Sequence, residues 1–235
     1  MTQHYRFCAH VHHALVGEQL ILLDGKQDKY IFIDGERART LHDCLESGAP
    51  DALARRLPEI IRLALQQRII EPCNQPYRLH VRQTQPVGID LHQWRLPAAD
   101  AGPAMNTRQA LPFIGDFLRL KLCMRIRGLD FLFRRLHAAT RRRNVRLIPF
   151  EEVETRCRQI RQAALYLPFR TACLENALVT AFYLARHAIP GEFCIGIQLT
   201  PFLAHAWINY QGRVILDKPD LNQAMITLLK IPGGD

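Results

Sequence analysis

The chain has 235 residues, 48% apolar and 23% charged, with 31 basic against 22 acidic side chains for a formal net charge of +9. At roughly 150 residues per domain there is room for one domain or two small ones, and the composition excludes wholesale disorder, collagen and coiled-coil architectures. No run approaches the ~18 uncharged apolar residues of a membrane span, and the first twenty residues lack a basic segment followed by an apolar one. A cytoplasmic protein with no membrane role is therefore the expectation.

The first seventy residues read as a unit of their own. His12–Val16, Gln19–Asp24 and Asp28–Ile33 are short β-prone runs separated by Gly17-Glu18 and by Asp24-Gly25-Lys26-Gln27, which have turn chemistry. Asp34 is placed to cap a helix over Glu36–Ser47, with Ala38, Leu41, Cys44 and Leu45 at helical spacing and Gly48 as its stop. Asp51 is placed to cap a further segment, and Leu57, Ile60, Ile61, Ala64 and Leu65 mark one face of a third helix, with Pro58 in its first turn. Three strands followed by helices predict a small winged-helix-like domain over 1–70. From Glu71 to Thr107 prolines 72, 76, 86, 97 and 103 break every period, which predicts a proline-rich linker over 71–107. Trp94 is too large to leave in water cheaply, so part of that segment is expected to dock.

Residues 108–235 form the second predicted domain. Leu111–Ala139 is a long helical region with Gly128 as a dividing point. Arg134, Arg135 and Arg141–Arg143 cluster at its end, where cations suit the helix dipole; no aromatic platform accompanies them, so no nucleic-acid role is expected. Glu151–Leu165 is a further helix.

Seven cysteines (8, 44, 73, 123, 157, 173 and 194) are odd in number and form no C-x-x-C pair, which argues against a disulfide framework and a four-cysteine zinc site. Cys173 differs from the rest. Arg170-Thr171-Ala172-Cys173-Leu174 opens a helix to about His187, with Thr171 as its cap and Cys173 in the first turn, where free N–H groups and the dipole lower a thiol pKa. Leu174, Ala177, Leu178, Ala181 and Leu184 supply the buried face. A strand over Glu192–Leu199 follows, then Ala204-His205-Ala206-Trp207-Ile208, turn residues Asn209-Tyr210-Gln211-Gly212, and a strand Arg213–Leu216 ending in Asp217. The hairpin brings Asp217 back toward the base of the His205 strand. A thiolate on a helix start, a histidine on one strand and an aspartate on its neighbour is the layout of a thiol protease.

On spacing alone other readings stay open. Cys173 is read as core, His205 as a satisfied structural residue and Asp217 as a turn, or the three as a zinc site short of a fourth ligand. Cys8, His10, His12 and His13 also invite a metal reading, but strand alternation puts 12 and 13 on opposite faces, so no metal is expected there.

The string CLENALVTAFYLARHAIPGEFCIGIQLTPFLAHAWINYQGRVILDKPD (173–220) resembles the transglutaminase-like leader peptidases of lasso-peptide biosynthesis, the B proteins. The matching pattern is a Cys-Leu helix, an Ile-Gly-Ile strand, a Pro-Phe pair, an Ala-His-Ala-Trp strand, and Gly plus apolar residues ending in Asp. It covers residues 170–230 closely and 110–165 loosely. The resemblance implies a papain/transglutaminase-like α+β domain with Cys173 as nucleophile, His205 as general base and Asp217 as its orienting partner. The N-terminal unit is similar to PqqD-like peptide-recognition domains, which bind a leader peptide as an added strand beside a helix. The matching positions are Lys29, Tyr30, Ile31, Phe32 and Ile33 on the third strand, with Ile61 and Leu65 on the helix. The resemblance also implies two partners, a ribosomally made lasso-peptide precursor and an asparagine-synthetase-like macrolactam cyclase. An ATP requirement is associated with this step in the family. No Gly-rich phosphate cradle is visible, so no cofactor is expected here and ATP dependence falls to the cyclase. The shared chemistry leaves two alternatives, a transglutaminase-like amidase or acyltransferase acting on another substrate, and a non-catalytic binder of peptide or nucleic acid.

Overall fold

The computed structural model describes residues 2–50, 57–75, 77, 88–89, 105–141 and 145–233. Asp51, Trp94, Arg142 and Arg143 lie outside the described residues. The chain is mixed α+β and divides into two compact units, Met1–Gln85 and Pro86–Asp235.

In the first unit, β2 (Val11–Val16), β3 (Gln19–Asp24) and β4 (Lys29–Ile33) form an antiparallel meander. Val11 and Lys29 both oppose Asp24 across the central strand. Helices α1 (Gly35–Ser47) and α2 (Glu59–Gln66) follow. Asp34 stands at the N-cap of α1 without a side-chain cap hydrogen bond, whereas Gly48 ends the helix at φ 75°, its N–H donating to the Cys44 carbonyl. A second sheet was not foreseen. β1 (Thr2–Phe7) lies between β5 (Ala49–Pro50) and β6 (Ile70–Cys73), pairing with β6 from His4–Cys73 to Phe7–Ile70. Such long-range partners leave no local periodicity to read. The unit therefore takes in residues expected to be linker. Pro72 is accommodated because β6 is an edge strand among the described residues, and Tyr77 packs on the core around Leu20, Leu41, Leu45 and Ile61.

The second unit opens with α3 (Thr107–Thr140), capped by reciprocal Asn106–Gln109 hydrogen bonds of 2.9 and 3.1 Å and broken at Gly128, whose φ of 75° and ψ of 175° interrupt the helix. α4 (Phe150–Ala164) and α5 (Cys173–Arg186) follow. The sheet, all antiparallel, runs β10 (Ile226–Ile231), β7 (Glu192–Gln198), β8 (Leu203–Tyr210), β9 (Arg213–Val214), with the short α6 (Leu221–Ala224) before β10. α5 buries Ala177, Leu178, Ala181 and Leu184 and packs on β8 and β7, while α3 and α4 pack on α5. Gln211 and Gly212, at φ 51° and 77°, make the two-residue turn between β8 and β9. On the Trp207 face of the sheet, a Cβ at Gly196 would fall 2.7 Å from the indole, so only glycine lets that ring lie across β7. Ile89 joins Trp207 and Met225 there, and its N–H donates to Gln198 Oε1 at 2.5 Å. Part of the proline-rich segment thus docks, through Ile89. No helix among the described residues is long and apolar enough to cross a membrane.

Candidate active site

Cys173 is the first residue of α5, and Ala172, not Thr171, occupies the N-cap. The Glu175 carboxylate reaches back to accept the Ala172 N–H at 2.5 Å, which leaves the Thr171 hydroxyl to accept from Asn176 Nδ2 at 3.0 Å. The thiol is half-buried. Burial pushes its pKa up; the hydrogen bond and charge of His205, with the backbone N–H groups of Ala206 and Leu174, outweigh that and hold it below the ordinary thiol value.

His205 lies on β8, 4% exposed and opposite Gly196 in register. Its Nε2 meets Asp217 Oδ2 at 2.7 Å, leaving Nδ1 as the ring nitrogen for the Cys173 thiol. Desolvation disfavours the imidazolium, but the hydrogen bonds and charges of Asp217 and Cys173 prevail and raise its pKa to about 9. The Trp207 ring lies nearly parallel, 11° off and 6.2 Å between centroids. Trp207 is itself held by Nε1–H donation to Asn209 Oδ1 (3.2 Å) and Asn222 Oδ1 (3.1 Å).

Asp217 reaches His205 because β9 stops early. The predicted strand to Leu216 ends at Val214, and Leu216 turns the chain at φ 51°. That turn aims Asp217 at His205, and the Lys218 N–H donates to its other oxygen at 2.8 Å. Arg161 of α4 is the residue that sequence reasoning missed. Its Nη1 donates to the Leu216 carbonyl at 2.6 Å, and its charge is coupled to Asp217. The available signal was an arginine four residues after Cys157 beside the buried Val153, Cys157 and Ile160 of α4. Arg161→Met should release the Leu216 turn, cut turnover about 10-fold to 100-fold and lower the alkaline limb of the pH profile, with Arg161→Lys partly restoring both. Unchanged kinetics in Arg161→Met would leave the turn as self-supporting.

Cys173, Asn176, His205, Asp217, Arg161 and Cys157 line one cavity of about 140 Å³. Asn176 Oδ1 is buried there without a hydrogen-bond partner among the described residues. Burial carries the Cys157 thiol up to about 12, so it is no competing thiolate. Among the described residues no group of three His, Cys, Asp or Glu side chains is arranged to hold a metal. Cys173 and Asp217 engage opposite nitrogens of one ring, so the three do not converge on a common point. The chemistry available is that of a thiolate–imidazolium pair, able to attack a carbonyl carbon and then protonate a leaving amine.

The residues matched to peptide binding lie in the first unit. Lys29, Tyr30, Ile31, Phe32 and Ile33 form β4, which among the described residues has a strand on one side only. Phe32 is exposed and Ile33 buried. Ile61 is a correction: at 0% exposure it belongs to the core and offers no surface to a ligand, because α2 turns it inward with Ala64. Leu65 is half-buried against the same core, and Leu63 is the open apolar side chain of α2.

A comparison with curated proteins and one with solved structures gave no match. The protein-family comparison gave one over the part of the chain that builds the site, from within α3 into β10. Domains of that kind are typically cysteine proteases or acyltransferases. Residues 117–230 are a transglutaminase-like superfamily domain.

Proposed function

We propose that Cys173, His205 and Asp217 are the catalytic triad of a cysteine peptidase that removes the leader from a ribosomally made lasso-peptide precursor. The observation that carries this reading is a histidine engaged at once by a carboxylate at 2.7 Å and by a thiol on a helix start. Cys173 attacks the scissile carbonyl to form a thioester, and the His205 imidazolium protonates the departing core amine. His205 then draws a proton from the water that hydrolyses the thioester. The N-terminal unit, a PqqD-like and winged-helix-like recognition domain in this reading, takes the leader as an added strand on the open edge of β4. The freed amine passes to a partner asparagine-synthetase-like cyclase that closes the macrolactam, and ATP is used there. The setting is the cytoplasm, and the peptidase itself uses no cofactor.

The deciding experiment follows alkylation of each cysteine by peptide-resolved mass spectrometry from pH 4 to 9, in the native chain and in His205→Ala. Cys173 should react well below the ~8.5 of a free thiol. Without His205 only burial and the backbone groups remain, so its pKa should rise and its reaction at neutral pH should slow. A Cys173 that behaves like the other cysteines, or ignores His205→Ala, overturns the reading.

Recognition has its own check. Phe32→Glu places a charge at the exposed Phe32 position of β4. It should weaken leader-peptide binding about 10-fold in calorimetry, with kcat at saturating precursor unchanged. Unaltered affinity would remove β4 from leader recognition.

A further inference from the structure

Between Thr107 and its break at Gly128, α3 buries Phe117 and Leu120 against the unit. On another face Leu111, Leu118, Leu122 and Ile126 are 58, 49, 58 and 66% exposed. Their spacing puts all four within a narrow arc, a stripe of about 22 Å or four helical turns. At 100° per residue, Arg108 and Arg119 border it on one side and Arg125 on the other. Arg119 also lines a cavity of about 370 Å³ between α3 and α5, together with Arg135, Arg186, Asp116, Leu120 and Phe182. Asp116 is already paired with Arg186, at 3.0 and 3.4 Å. Arg108, Arg119, Arg125 and Arg135 have no acidic partner among the described residues.

We propose that this face docks an acidic amphipathic helix of a partner protein, its apolar side on the stripe and a Glu or Asp side chain reaching Arg119 and Arg135 in the recess. Charge selects that occupant. A second copy of this chain would bring the same arginine borders together, which costs affinity. A bilayer surface covers a stripe but presents no side chain to enter a recess walled by Leu120 and Phe182. Unbroken helix on α3 matches an anchor pattern of i, i+4 and i+7 on a docked helix.

The test uses the full chain and two labelled synthetic 18-residue helical peptides that share a leucine face, one flanked by Glu and one by Lys. Fluorescence anisotropy should show micromolar binding of the Glu peptide and at least 10-fold weaker binding of the Lys peptide. Leu118→Glu with Leu122→Glu should abolish binding. Arg119→Glu with Arg125→Glu should invert the preference between the peptides. All four positions are exposed, and unchanged circular dichroism shows that the variants remain folded. Failure to bind the Glu peptide overturns the proposal, as does binding that ignores the charge swap. Selective capture by phosphatidylglycerol vesicles would assign the face to a membrane, and a dimer lost in Leu118→Glu would assign it to a second copy; either overturns it.

Discussion

Cys173→Ala should lose precursor cleavage by about 10⁴-fold or more while binding the precursor as the native chain does. The substitution removes the thiol, which is held below its ordinary pKa and whose place at the helix N-terminus stabilises an anion. The alanine fits where the half-buried thiol stood, so stability should change little. Cleavage followed by mass spectrometry and precursor binding by calorimetry separate the readings. Loss of turnover with retained binding supports an enzyme, whereas full function in the variant would make the chain a non-catalytic binder. Product chemistry then divides the enzyme classes. Hydrolysis leaves a free leader carboxylate, and acyl transfer leaves the leader joined to an added amine.

The second large effect is expected at Asp217. Asp217→Asn preserves the shape of the contact with His205 but removes the charge, and turnover should fall by about 10³-fold to 10⁴-fold because the tautomer is no longer held. The pH profile distinguishes this from general damage. In the native chain activity should rise as Cys173 ionises below its ordinary value and should fall as the His205 imidazolium loses its proton near pH 9. Asp217 contributes the foremost interaction that raises the His205 pKa against desolvation, so in Asp217→Asn the alkaline limb should move down. The acid limb should move up, since a less protonated His205 lends less charge to the thiolate. A near-native rate with an unmoved alkaline limb would mean that another group orients His205.

The elements legible along the chain were those whose signals are local. The β2–β4 meander, the Gly48 stop, the Gly128 break, α4, α5 and the β8–β9 turn each rest on turn residues or periodic apolar positions within one short window. Cys173, His205 and Asp217 were legible for the same reason: a helix start, a strand and a hairpin are local features, and a hairpin returns the chain to itself. The cap at Ala172 was misread because Thr171 is the better cap by type, and only the Glu175 carboxylate decides otherwise.

Tertiary structure decided what depends on distant partners. β1 has no signature of its own until β6 lies beside it, and Ile61 looks like any helix-face residue until the core closes over it. The Arg161 contact with Leu216, fifty-five residues away, joins a helix to a turn that neither segment announces. By itself the sequence determined the identities of the thiol, imidazole and carboxylate and the local elements that carry them. Packing decided the 2.7 Å contact, the burial that sets the charge balance and the clamp behind it, because these arise only when segments remote in the chain share one desolvated space.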